Sequence, residues 1–501
     1  MGIMRFAFDP QLNANGLIKR LCQDAFLAGN DSKVLPGQQL VVQETQLAIR
    51  KADDRSAKLN FPWPLPERGE VLFTTGSLMD REEPYHLLVE MARGKISVVR
   101  NQSANWQQMG MAIPEEFYDR LDDAQDAFIK STQSQDDVKE SSRLGAAALE
   151  NAQKAADILM ASFVMQRVRL QRRRSPVSPV DYICGADFDL KREDNLEGLL
   201  THFDEICLPL HWKMAEEETA TGDVQQIDAA IDFLFSQKKT ISAGPLLDFA
   251  DEGLPHWLMQ WQGDVISMQS LMCDFVETVV SRYAGRIRKW DLAANSERGP
   301  RDESWKFLTE EVRLRLLSRA LDIIQQIDNK LEVSIRITDP WGIYHGEGNH
   351  ILTPVNFIDM LTRARGRVSS LKLVLTDSYE HVTTPPFDWL ELSRLIDYWS
   401  ALGIPLQVLL AAPSTGTRMP NARYQVDPQE AHLLSPESQS DWYANVIPLL
   451  VAKESISGIQ FDHFHDGASH RYAAAGFVDA AGKTKSSFQQ LTRFQSSEWT
   501  L

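Results

Sequence analysis

The chain has 501 residues, 43% of them hydrophobic, which is enough for a large core and too long for one average domain. A net charge of −17 and a pI near 5.2, with no basic stripe, argue against nucleic acid or another polyanionic partner, because an acidic surface repels phosphate. Cys22, Cys184, Cys207 and Cys273 lie far apart without a C-x-x-C pair, so neither a zinc site nor a disulfide framework is expected; no run approaches the ~20 apolar residues that span a bilayer.

From Met1 to about Ala112 the text reads as strands. Short alternating runs such as LVVQETQLAI and GEVLFTTGSL are separated by Pro, Gly and Asp/Asn punctuation, which predicts an antiparallel, sandwich-like β domain over residues 1–112. Such a domain in front of a sugar-binding unit is a candidate carbohydrate-binding module, with Trp63 or Trp106 as stacking platforms. The competing and preferred reading makes both core aromatics. Pro114 and Glu115 then suit a helix start, and AALENAQKAADILMASFVMQRVRL keeps apolar residues three and four apart, so residues 113–175 form a helical connector. Its terminal arginines, Arg167, Arg169, Arg172, Arg173 and Arg174, suit the negative end of a helix dipole. SPVSPVD, Ser175 to Asp181, marks the boundary with the last unit.

Over residues 176–501, short apolar strands alternate with amphipathic helices. The strands are YICGADF, DEICLPL, TISAGPLL, IRKWDLAA, EVSIRITD, LKLVLTD, LQVLLAA and GIQFDHF. Eight βα repeats predict a (β/α)8 barrel. The doubly wound alternative lacks any phosphate-binding glycine motif.

Several segments of this barrel carry a family resemblance in the correct order. RIRKWDLAANSERG (Arg286 to Gly299), GLPHWL (Gly253 to Leu258), GIQFDHFHDGASH (from Gly458) and GFVDAAGKTKSSFQQL (from Gly476) together resemble glycoside hydrolase family 10, the xylanase family. The resemblance runs from about Asp181 to Phe494. It implies a barrel whose fourth strand ends in an acid/base glutamate and whose seventh carries a nucleophilic glutamate. Retaining hydrolysis needs those two carboxyls about 5–5.5 Å apart, one protonated and one ionised. Here the two positions hold Asn295 and Leu410, with Ala294 in place of the neighbouring asparagine. Other positions matched to the family's sugar subsite have changed as well, to Pro209, Gly244, Asp248, Phe249, Asp462 and His470, while Asp466 is retained.

Barrel sites lie at the C-terminal rim, so polar strand ends are the candidates for a replacement site. Asp248, Asp462, Asp466 and Glu297 are the carboxylates that relocated catalysis would use. Asp248 and Asp462 both replace pocket tryptophans and are expected to face one cavity. Trp212, Lys213, Trp341, Asp339, Asp377, His463 and His465 are candidate substrate-binding residues, and His345, Glu347 and His350 occupy the loop after the fifth strand. For Asp339 and Asp377 a helix cap or an ion pair with a rim arginine is the better reading. Strand alternation places Asp462 and Asp466 on one face and His463 and His465 on the other, so no metal is expected, nor any cofactor. No G-x-S-x-G elbow points to serine hydrolysis. The expected function is a degenerate, xylanase-like barrel that binds a β-linked carbohydrate without cleaving it, or serves a protein partner. The alternative is a hydrolase using relocated carboxylates. The N-terminus lacks a charged region followed by a long apolar run, which points to the cytoplasm and leaves export open.

Overall fold

The computed structural model describes the chain except residues 1, 15, 67, 176–177, 191–195, 214–220, 252, 348–349, 364–366, 381–383 and 497–501. Part of the predicted boundary segment, at 176–177, therefore lies outside the described residues. The chain divides into two compact units, one of Met1–Leu170 with Gly342–His350 and Pro385–Arg394, the other of Gln171–Trp341, Ile351–Thr384 and Leu395–Leu501. Among the described residues no helix is long and apolar enough to cross a membrane.

The first unit holds two small sheets on one apolar core. Strands β1 (Gly2–Ala7), β3 (Gln39–Val42), β4 (Gln46–Lys51) and β7 (Tyr85–His86) form one, in the order β3-β4-β1-β7. The other is the antiparallel set β2 (Phe26–Ala28), β5 (Lys58–Leu65) and β6 (Gly69–Thr74). The strands end earlier than the alternation suggested: residues Leu87–Gln108 form a 22-residue helix. Its apolar residues fall at helical spacing, and Leu87, Leu88, Met91 and Ala92 pack into the same core as Phe6, Phe61 and Phe73. Helices Glu115–Gln133 and Val138–Arg174 follow, the second ending in the expected run of arginines. Trp63 is a core residue, and Trp106 lies in the first long helix, stacked on Phe163 at 4.2 Å; both are only 6% exposed. The loop histidine His345 belongs to this unit too, its Nδ1 3.1 Å from the Val34 carbonyl oxygen.

The second unit is a closed parallel (β/α)8 barrel. Its strands are β8 (Asp181–Gly185), β9 (Glu205–Leu208), β10 (Thr240–Ala243), β12 (Lys289–Ala294), β13 (Glu332–Ile337), β14 (Ser370–Thr376), β15 (Leu406–Ala411) and β17 (Ile456–Phe461). Each pairs with its neighbour in order, and β17 closes onto β8. The eight predicted strands are these eight. β14 and β15 are buried along their full lengths, as parallel strands covered by helices require. The outer helices carry their own start signals. Thr309 caps Glu310–Ile327, and Ser435 with Ser438 forms a capping box on Pro436–Val451.

One interruption positions the site. After β10 the chain turns through Gly244 at φ 131°, and a Cβ there would sit 2.1 Å from the Asp291 carbonyl oxygen. Only glycine fits that approach. The chain then resumes as β11 (Leu247–Asp248), whose register places Asp248 opposite Ala294, the last residue of β12.

Candidate functional site

A cavity of about 360 Å³ opens at the C-terminal rim of the barrel, within the size range of small-ligand sites. The ends of five barrel strands, β8, β9, β10, β13 and β17, and two loop excursions build it. Among the latter, β16 (Ala422–Tyr424) follows the seventh barrel strand and β18 (His470–Tyr472) follows the eighth. They pair in parallel with Ala422 opposite His470 and Tyr424 opposite Tyr472, and the two tyrosines stack at 5.1 Å. That register sets the middle residues, Arg423 and Arg471, side by side. Both reach Asp248 Oδ2, with Arg423 Nη1 at 2.9 Å and Arg471 Nη2 at 3.0 Å. Asn295 Nδ2 donates to Asp248 Oδ1 at 2.7 Å.

Asp248 is thus buried and held on both oxygens. Burial alone would raise its pKa, but the two guanidiniums and the Asn295 amide outweigh it and lower it to about 2. Asn295 itself adopts φ 56°, a left-handed conformation that asparagine tolerates better than most residues. Its amide serves to hold a carboxylate. Leu410 is fully buried in β15.

A second polar group lies at the end of the eighth strand. His463 donates through Nδ1 to Asp462 at 3.0 Å and through Nε2 to Asp466 at 2.8 Å. Both ring nitrogens are donors only in the imidazolium. Burial opposes that charge, yet the two carboxylates raise its pKa to about 9. Asp462 also accepts from the Arg471 and Tyr472 amides, and Asp466 accepts from Lys485 Nζ at 2.6 Å. Against burial, His463 holds both carboxyls below the usual range. His470 stacks on His463 at 4.0 Å, and burial together with that neighbouring charge lowers its pKa to about 4. The expectation that the acids and histidines here occupy opposite faces is corrected. β17 ends at Phe461, so residues beyond it follow a turn and period-two alternation no longer applies.

The other candidates divide clearly. Asp248, Asp462, His463, His465 and Lys213 line the cavity, as do His211, Gln460, Arg336, Arg423 and Arg471. Asp466 backs it through His463. Trp212 does not serve as a sugar platform: it is 3% exposed and stacked on Phe275 at 5.4 Å. Trp341, Asp339 and Asp377 are not among the lining residues. Asp377 is half-buried, and burial and then the charge of Glu430 raise its pKa to about 6. Glu297 is fully buried away from the lining, with Oε1 accepting from the Thr338 and Asp339 amides at 2.7 and 3.2 Å. Its Oε2 has no partner among the described residues, and burial raises its pKa to about 7. No Trp, Tyr or Phe occurs among the described lining residues.

Arg423 and Arg471 were not anticipated. The available signal was the repeated Arg-Tyr pair, in NARYQV and SHRYAA, within loops that follow consecutive strands. Nothing in either loop alone announces that they pair.

No family model matches the chain, and no curated protein is similar to it. Among solved structures, xylanase 10B from Thermotoga maritima is similar with 13% identity and a TM-score of 0.47, over 66% of this chain and 96% of that one. Xylanase 10B from Thermotoga petrophila RKU-1, in complex with xylobiose, gives 13% and 0.46 over 64% and 95%. A glycosylated endo-beta-1,4-xylanase from Gloeophyllum trabeum gives 14% and 0.46 over 63% and 96%. The likeness is one of fold. At these values it adds nothing to the reading of the site, which rests on the chain's own residues.

Proposed function

We propose that the barrel holds a carbohydrate in its rim cavity without hydrolysing it. The observation that carries this reading is the fixation of Asp248 by Arg423, Arg471 and Asn295. Glycoside hydrolysis asks for one protonated and one ionised carboxyl on the same cavity. Asp248 and Asp462, the best relocated candidates among the three acids that line it, are both held ionised by cations or hydrogen bonds. Glu297, the relocated candidate whose pKa suits a proton donor, does not line the cavity.

Binding is supported by two acceptors. His470 Nδ1 lies 2.7 Å from the Ala468 carbonyl oxygen, so in the neutral ring Nδ1 donates and Nε2 keeps its lone pair. His470 Nε2 and Gln460 Oε1 are buried without a partner among the described residues. Both residues are among those lining the cavity, and buried acceptors without a donor are uncommon.

β-Linked xylo- and gluco-oligosaccharides, assayed for new reducing ends and by calorimetry, test the proposal. Binding without cleavage is expected. Cleavage that survives Asn295→Ala but is abolished by Asp248→Asn or Asp462→Asn would establish the hydrolase instead.

A further inference from the structure

Resting on the carbohydrate reading, we infer that this cavity takes the sugar at a chain end, or a free mono- or disaccharide, and excludes the interior of a polysaccharide. The reason is a bar of ion pairs across the barrel mouth. Arg423 and Arg471 stand on β16 and β18, which follow the seventh and eighth barrel strands, and Asp248 lies on β11, between the third and fourth. In a closed ring of eight strands those two places are diametrically opposite. The contacts of 2.9 and 3.0 Å from the two guanidiniums to Asp248 Oδ2 therefore run across the mouth and not along its edge. Asn295 Nδ2 holds the other oxygen at 2.7 Å and ties the bar to the end of the fourth strand.

The bar divides the mouth in two, and one side is filled. Val374, Leu409 and Ala411 of the sixth and seventh strands form an apolar cluster with Tyr379, Val426 and Tyr472 from the loops that follow. Backbone bonds knit those loops together: Glu380 N donates to the Gln425 carbonyl at 2.9 Å, Asp427 N to Ser378 at 2.9 Å, and Ala473 N to Tyr424 at 3.0 Å. At the ends of strands four and five, the buried Glu297 accepts from the Thr338 and Asp339 amides. The cavity lies on the other side, over strands eight, one, two and three, with Gly185, Cys207, Gly244 and Gln460 at its floor. Its volume of about 360 Å³ equals that of roughly twelve waters at ~30 Å³ each, room for one or two sugar rings and not for a chain. A polymer bound through its interior must leave a site at both ends. Here the bar and the apolar cluster behind it stand across one of those paths, whereas a chain end needs a single entrance.

Calorimetry on the full chain counts the sites, using glucose, xylose, their β-1,4-linked di- and hexasaccharides, and a linear soluble mixed-linkage β-glucan. If ends are bound, shortening the β-glucan with an endoglucanase at constant sugar mass raises the number of sites in proportion to the number of chains. The hexasaccharide should then bind within about threefold of the disaccharide. Sites that follow sugar mass and not chain number, or affinity that rises about tenfold or more from disaccharide to hexasaccharide, overturn the inference and leave carbohydrate binding standing. Gln460→Leu at the floor and Ser469→Leu at the exposed rim of the cavity should each weaken binding about tenfold, with melting checked beside wild type. Undiminished binding by both folded variants puts the sugar elsewhere and overturns the inference. Silence from every sugar overturns both readings.

Discussion

Replacing Glu297 by glutamine tests the electrostatics of the strand-four terminus directly. The Glu297 carboxyl is fully buried, one oxygen takes two backbone amides, and the other has no partner among the described residues. Burial carries its pKa from 4.5 to about 7. That gap of about 2.5 pH units, at ~1.4 kcal/mol each, amounts to about 3 kcal/mol between the protonation states. Because the folded chain holds this proton more tightly than the unfolded chain, its contribution is fully present below about pH 4.5 and is lost as pH rises through about 7. Integrated between pH 5.5 and 8.5, the loss is about 2 kcal/mol. Glutamine keeps the oxygen that accepts from Thr338 and Asp339 and cannot ionise. Urea denaturation of the barrel followed by circular dichroism should therefore show the wild type losing about 2 kcal/mol more than Glu297→Gln over that interval. Parallel pH profiles for the two proteins would refute the reasoning.

Three further outcomes follow from the same geometry. Asp248→Asn leaves Arg423 and Arg471 adjacent without their carboxylate, and a loss of about 3 kcal/mol or more in unfolding free energy, measured by denaturant titration, is expected, of the size found when one partner of a buried pair is removed. The ring of His463, followed by NMR, should titrate near pH 9; since its folded pKa lies above the ordinary 6.5, the stability it supplies is complete below about 6.5 and lost as pH rises through about 9. A titration near 6.5 would dissolve the Asp462–His463–Asp466 bridge. Gly244→Ala puts a methyl 2.1 Å from the Asp291 carbonyl oxygen at φ 131°, so soluble folded protein should be lost; wild-type melting would contradict the close approach.

What the sequence disclosed and what it hid divide along physical lines. The eight barrel strands were legible because each is an apolar run between turn signals, and burial on both faces makes such runs continuous. The helix at Leu87–Gln108 was missed because its polar residues sit among the apolar ones closely enough to mimic alternation. Asn295 and Leu410 were singled out by a resemblance of sequence alone, and what Asn295 touches was not legible there. Asn295 acts through Asp248, a contact set by the turn at Gly244 and the register of β11, and neither is written in spacing. Arg423 and Arg471 were out of reach for the same reason: 47 residues separate each member of the β16–β18 pairs from its partner along the chain, as at Tyr424 and Tyr472.

These dependencies bear on how the polar rim holds together. Buried polar groups without partners cost about 1–3 kcal/mol each. Here the groups around Asp248 are matched as a set. The amide at Asn295 has Asp248 as its acceptor, Asp248 has Arg423 and Arg471 as its counterions, and those arginines depend on β16 and β18 pairing in register. Leu410 fills its position with apolar contact in β15. Asn295→Glu would set a second carboxylate beside Asp248 and compete for the same two guanidiniums. The expected result is a less stable barrel, read as a lower denaturation midpoint than wild type, and an unchanged midpoint would contradict the dependence of Asp248 on the Asn295 amide.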